Sequence, residues 1–189
     1  MTDTTADAQI KGACIKSVFE FLDEHEKKEE TLQALPVHYR DLFNQEILPA
    51  LWYPMESYLQ LLDAINMGYT RKMPDPYFSM GSKVIFDGMN SIYRAFFRVG
   101  GTDWLVRRSN ILWTMIFQGT TLKTTIEKPG VGIARVIGDA RTTRNLCKSI
   151  VGGLTEALLL TGADNVRITH PTCVAAGDEF CEFHATWEI

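Results

Sequence analysis

A chain of 189 residues, 46% hydrophobic and 22% charged, has the make-up of a folded globular protein and is long enough to bury a core without disulfide staples. Its formal net charge of -4 argues against nucleic acid as a main partner, and the cluster "RKMPDP" with the pair Arg107 and Arg108 is too small to replace a basic stripe. No apolar run reaches the ~20 residues of a membrane span, and the polar, acidic opening lacks the basic and apolar regions of a signal peptide, so a cytoplasmic chain is expected.

Residues 1–9 read as a flexible N-terminus and 10–189 as a single domain. "IKGACIKSVFEFLDEH" predicts a helix from Ala13, with Ile15, Val18, Phe19 and Leu22 on one side. "KKEETLQALP" is charged and stops at Pro36. "VHYRDLFNQEILPALWYP" reads as a short helix and a turn with Pro49 and Pro54. "MESYLQLLDAINMGY" puts Met55, Tyr58, Leu59, Leu62 and Ile65 at helical spacing, with Gly68 as its stop. After the loop "TRKMPDPY", a longer helix is expected over "FSMGSKVIFDGMNSIYRAFFRVGG", with Val84, Ile85, Ile92, Phe96 and Val99 inward and Gly100-Gly101 ending it. "TDWLVRRSNILWTMIFQG" follows as a helix capped by Thr102 or Asp103, with Trp104, Ile111, Leu112 and Met115 as apolar positions.

The pattern changes after Gly119. "TTLKTTIEKPGVGIARVIGDA" alternates, is β-branched and holds "KPGVG" at its centre, so it reads as a β-hairpin. "TRNLCKSIVGGLTEALLLTGA" returns to helical spacing through Leu146, Ile150, Leu154 and Leu158. "NVRITHPTC" and "EFCEFHATWEI" form a second hairpin around "VAAGD". The fold class is therefore α+β, a helical N-terminal half packed on a small antiparallel sheet.

Two of the four cysteines, Cys173 and Cys181, flank that last loop. With Cys147 at the start of the preceding helix and His170 before Pro171, they give C-x22-H-x2-C-x7-C. Three thiolates and an imidazole suit tetrahedral zinc and would leave no open position for a substrate. The same residues also suit a second reading, small buried hydrophobes, because cysteine is among the most buried residue types. His184 is the other histidine in reach, but three residues from Cys181 along a strand it faces the opposite side. Cys14 reads as a core residue.

The ending "HPTCVAAGDEFCEFHATW" resembles the C-terminal motif of 4-vinyl-reductase domains, in which a cysteine is followed by Gly-Asp or Gly-Glu and then Cys-x-Phe. Such domains form the sensor modules of phenol- and xylene-responsive activators. Related folds occur in the TRAPP vesicle-tethering subunits and in haem-based nitric oxide (H-NOX) sensors. A fuller resemblance, over essentially the whole chain, is to a paralogous family of unknown function abundant in myxobacteria. It rests on "GACIKS" (Gly12 to Ser17), "LPALWYPMESY" (Leu48 to Tyr58), "YRAFFR" (Tyr93 to Arg98) and the closing motif.

The resemblance implies a structural zinc at Cys147, His170, Cys173 and Cys181. Phenol-sensing relatives bind zinc through three cysteines and a glutamate, and His170 stands at the glutamate's place. It also implies a pocket between helices and sheet. In the sensors a histidine and a tryptophan bind a phenolic hydroxyl there, and neither has an evident counterpart in this chain. The residues expected at such a pocket are Trp52, Tyr58, Tyr93, Arg94, Phe97, Arg98 and Trp113. An inward arginine would favour an anion, whereas solvent-facing arginines leave a small apolar or aromatic ligand. Haem is not expected, because the nitric oxide sensors need a proximal helical histidine and a Tyr-x-Ser-x-Arg motif that this chain lacks.

No catalytic residue is expected. The glycines of "GVGIARVIG" sit in a hairpin, not in the strand-to-helix turn of a nucleotide loop. The expectation is a non-enzymatic sensory module, homodimeric, that passes its signal to an effector or signalling protein. The alternative is a dimeric interaction or tethering scaffold without a ligand, as in the TRAPP subunits.

Overall fold

A computed structural model describes residues 8–65, 75–88, 91–138 and 142–188, and of 91–99 only the backbone. The expected α+β architecture is present, with its elements in nearly the expected order. Strand β1 (Gln9–Lys11) leads into helix α1 (Gly12–Glu24), then α2 (Lys28–Ala34), α3 (Val37–Phe43), β2 (Trp52–Pro54) and α4 (Met55–Ile65). Helices α5 (Pro76–Gly88) and α6 (Ser91–Thr114) follow, then β3 (Phe117–Gln118), β4 (Thr120–Lys128), β5 (Val131–Gly138), α7 (Arg144–Leu160), β6 (Asp164–Thr172) and β7 (Cys181–Glu188).

Two antiparallel sheets form. The larger has the order β4-β5-β7-β6, so the two hairpins read from the sequence lie side by side, joined by β5 and β7. The smaller, β2-β1-β3, was not expected. Its strands are two or three residues long, too short to show alternation, and they pair only because the fold brings Ile10 opposite both Tyr53 and Phe117. Among the described residues pairing begins at Gln9, and Ala8 beside it is buried.

The long helix expected from Phe78 to Val99 is helical over α5 and the start of α6, with residues 89 and 90 between them outside the described set. The predicted stop at Gly100-Gly101 is a break within α6. Gly101 has φ 69° and ψ 179°, a conformation open to glycine and closed to side-chain-bearing residues. Beyond it Ile111 and Met115 face solvent, 57% and 51% exposed, while Leu105 and Trp113 are buried. Thr102 caps nothing there; its hydroxyl meets that of Thr161 at 2.9 Å. The side chains of the expected inward residues Ile92, Phe96 and Val99, and the stop at Gly68, lie outside the described set.

The main core joins Ile15, Val18 and Leu22 of α1, Leu61, Leu62 and Ile65 of α4, and Met80 of α5 to Leu122, Val136 and Phe183 on the inner face of the sheet. Helices α5 and α7 approach closer than side chains allow. A β-carbon on Gly81 would overlap the Ser149 carbonyl, and one on Gly152 would overlap that of Phe78. A second cluster, Leu105, Leu158, Ala163 and Trp187, closes the far end.

Candidate functional site

The four predicted metal ligands converge. The Sγ atoms of Cys147, Cys173 and Cys181 and an imidazole nitrogen of His170 lie within 4.8 Å of one another. Each arrives by a local device. Thr143 caps α7, its hydroxyl accepting from the Leu146 amide at 3.2 Å, and so fixes Cys147 on the first turn. His170 and Cys173 are three apart, which in a regular strand would turn them to opposite faces. The β6–β7 register shifts between Thr169 and Thr172, around Pro171, and this bulge restores the common face. The loop after Cys173 makes a 3-10 turn, Val174–Ala176, and reverses at Gly177 with φ 101°. Asp178 Oδ2 accepts from the Cys173 amide at 2.6 Å and holds the turn shut. No register shift occurs between Cys181 and Thr186, so His184 faces away, 45% exposed, where it pairs with Glu182 at 2.6 Å.

The geometry fits a tetrahedral ion. Cys147 Sγ lies 3.7 Å from Cys173 Sγ and 3.6 Å from Cys181 Sγ. A tetrahedral zinc with Zn–S of ~2.3 Å separates its sulfurs by about 3.8 Å. His170 Nε2 is buried with no protein partner, and its ring stacks on Phe183 at 4.5 Å and 8°. The Val174 amide donates to Cys181 Sγ at 3.4 Å, the kind of support a thiolate ligand takes from its outer shell. The thiols already polarise one another. A hydrogen bond from Cys147, aided by the Val174 amide and by His170, draws Cys181 down to about 5. Cys147 is pushed far up as the donor to that thiolate, and its burial adds to the rise.

The second feature is an apolar cavity of about 140 Å³ between α5, α6, α7 and the large sheet. Tyr58 and Trp113 line it, as expected for two of the pocket residues. Trp52 does not; it sits in β2 with Lys11 Nζ 4.2 Å above its ring. The side chains of Tyr93, Arg94, Phe97 and Arg98 lie outside the described set. The sequence reading missed Cys14, Leu105, Phe183 and Trp187 as lining residues. One signal for two of them was available: alternation from Cys181 carries Phe183, Ala185 and Trp187 to the same inner face.

With this geometry in place, the chain can be set beside known proteins. No protein-family model matches it, and no curated protein does. Solved structures do. An H-NOX domain from Shewanella oneidensis in its Fe(II)CO state aligns with a TM-score of 0.65 at 14% identity, over 95% of this chain and 99% of that one. An H-NOX protein from S. oneidensis in its Fe(II)NO state gives 0.62 at 13%, over 95% and 100%. An Fe(II) H-NOX variant from K. algicida gives 0.60 at 9%, over 95% and 97%. The fold is H-NOX-like. These identities establish architecture alone.

The cavity occupies the helix-to-sheet space of this H-NOX-like fold, but its residues do not fit a histidine-ligated haem. None of the four histidines lines it. His25 Nδ1 is bonded to the Phe21 carbonyl at 2.7 Å, His38 is exposed, His170 belongs to the cysteine cluster, and His184 faces outward. Among the described residues no Lys or Arg lines the cavity to meet propionates.

Proposed function

We propose that this chain is a non-enzymatic sensory module that binds a small neutral molecule in the cavity and is clipped by a structural zinc at Cys147, His170, Cys173 and Cys181. The observation that carries the reading is the cavity. Its volume is close to the roughly 150 Å³ of an engineered apolar cavity that stays dry and takes up benzene. A scaffold has no use for such a void, since empty space of this kind lowers stability. The reading moves away from an anionic ligand, because the described lining has no cation.

The zinc would be structural, because four protein ligands leave no open position. It would join α7 to the β6–β7 hairpin, the two elements that also wall the cavity. Within the same proposal the module works in the reducing cytoplasm, where thiolates remain available. Its signal would pass by contact, and the exposed Ile111 on α6 and Met115 just after it offer a surface for a second copy or an effector. No helix among the described residues is long and apolar enough to cross a membrane.

Benzene titration tests the reading, followed by the fluorescence of Trp113 and Trp187 and by thermal melting. Saturable binding with a rise in Tm is expected, since a ligand that binds only the native state stabilises it. No binding up to the solubility limit of benzene, with no small molecule co-purifying by native mass spectrometry, would leave the scaffold reading ahead. Elemental analysis of tag-free protein is expected to give one zinc per chain.

A further inference from the structure

We propose that the solvent face of α6 is the docking site for an acidic amphipathic helix of a second protein. This rests on the reading that the module passes its signal by contact, and it names the chemistry of the partner.

The other sides of the helix are committed. Leu105 and Trp113 are buried in the core. Toward the sheet, Ser109 Oγ lies 3.0 Å from Thr124 Oγ1, and the Thr124 hydroxyl donates to the Val106 carbonyl at 2.6 Å. The side-chain oxygen of Asn110 accepts from the Leu122 amide at 3.1 Å. These bonds fix α6 along β4, an edge strand of the large sheet, so its outer face is set before any partner arrives.

That outer face carries a seam. Trp104, Arg108, Ile111 and Met115 follow one another at intervals of four, three and four, the spacing at which one helix packs along another. Ile111 and Met115 are more than half exposed, and Met115 stands in the turn that closes the helix, its amide 3.1 Å from the Leu112 carbonyl. The Trp104 ring lies against Gly100, where a β-carbon would come within 2.8 Å of it. The Arg108 guanidinium stacks 5.3 Å from the centre of that ring. Stacking fixes the guanidinium in place and leaves its N–H groups free to bind a carboxylate. Arg107 flanks the seam. Both arginines are exposed, and among the described residues neither has an ion-pair partner. Asp103 is the one acidic residue in the sequence of α6.

This charge pattern selects the partner. Two copies laid seam to seam in parallel would set Arg108 against Arg108. Laid antiparallel, they would set Arg108 against Ile111 and carry Asp103 past the end of the seam. Either way guanidinium groups would lose water without gaining an anion, which is costly. A helix with apolar residues at the same spacing and Asp or Glu beside them satisfies both the seam and the arginines. From Trp104 to Met115 the seam runs roughly 17 Å, about three helical turns.

The test uses two synthetic peptides of about 21 residues, three heptads long. Both carry leucine at the core positions; one has glutamate and alanine elsewhere, the other lysine and alanine. The acidic peptide is expected to bind, to shift the 15N–1H resonances of Arg107, Arg108, Ile111 and Met115, and to bind several-fold more weakly when salt rises from about 50 to about 300 mM. The pair Arg107→Glu and Arg108→Glu, and separately Ile111→Glu, are expected to weaken it about tenfold or more. No binding of the acidic peptide at about 1 mM, or equal binding of the basic one, would overturn the proposal. So would a dimer in sedimentation that Ile111→Glu dissociates, which would give the seam to a second copy. Binding to phosphatidylglycerol vesicles that Ile111→Glu abolishes would overturn it in favour of a lipid surface. If the variants do not fold, the wild-type shifts and their salt dependence decide alone. Benzene binding without peptide binding would sink the docking site and leave the sensory reading standing.

Discussion

Cys14 and Cys181 are both buried thiols, 4% and 1% exposed, and they have opposite chemistry. Cys14 faces the cavity, and burial pushes it up to about 12. Cys181 sits in the cluster, where the Cys147 thiol, the Val174 amide and His170 converge on it and draw it down to about 5. Burial alone makes a thiol inert; burial among donors makes it a ligand. The same contrast separates the two regions. The cluster spends four side chains on one point, while the cavity spreads its lining over five helices and both sheets.

The sharpest way to break the comparison is to substitute each thiol. Cys181→Ser is expected to abolish zinc binding and to cost several kcal/mol of stability, because metal-binding energy is folding energy here. Cys14→Ala should keep its zinc and cost only about 1–2 kcal/mol, as a small core truncation does. Urea melts with metal analysis read both, and equal losses would mean that the cluster carries no clip.

Helix α7 serves both regions, so moving it should disturb both. Gly152→Ala forces a methyl group against the Phe78 carbonyl and is expected to cost about 1–3 kcal/mol. Gly88→Ala meets nothing within 4 Å and serves as the control. Weakened benzene binding in the first variant alone would place the α5–α7 spacing in the cavity's shape.

Asp178→Ala separates the regions more gently. It frees the Cys173 amide and is expected to lower zinc affinity about tenfold, the usual scale for an outer-shell partner. Benzene affinity should not change; a parallel loss would show that the loop shapes the cavity.

The smallest effect at neutral pH belongs to Cys14. Its native value lies above the ordinary 9.0, so the unfolded chain releases this proton first as pH rises. Its contribution to stability is intact below pH 9 and is lost between 9 and about 12, at up to about 1.4 kcal/mol per pH unit. Urea melts at pH 8, 9 and 10 should fall less steeply for Cys14→Ala. Parallel profiles would place the thiol in contact with water.

Much of this fold was legible from pattern. The helical spacing of Leu146, Ile150, Leu154 and Leu158 and the alternation of the two hairpins are short-range signals, and the elements appear where those signals stand. The convergence of the three cysteines and His170 was legible too, because cysteine and histidine are chemically conspicuous. Of the residues expected at a pocket, Tyr58 and Trp113 line the cavity, while Trp52 lies in β2. A cavity is the volume left between elements distant in sequence, and no local pattern records it.

By itself the sequence determined the element types, the two hairpins and which four side chains are fit to hold an ion. These follow from backbone preference and side-chain chemistry within a few residues. Tertiary structure alone decided the rest: the bulge that turns His170 onto the face of Cys173, the three-strand sheet that captures Ile10, and the void beside Trp187. Each depends on how closely separate elements pack, down to the two glycines that let α5 and α7 meet backbone to backbone. That distance is a property of the assembled chain and is written in no single segment of it.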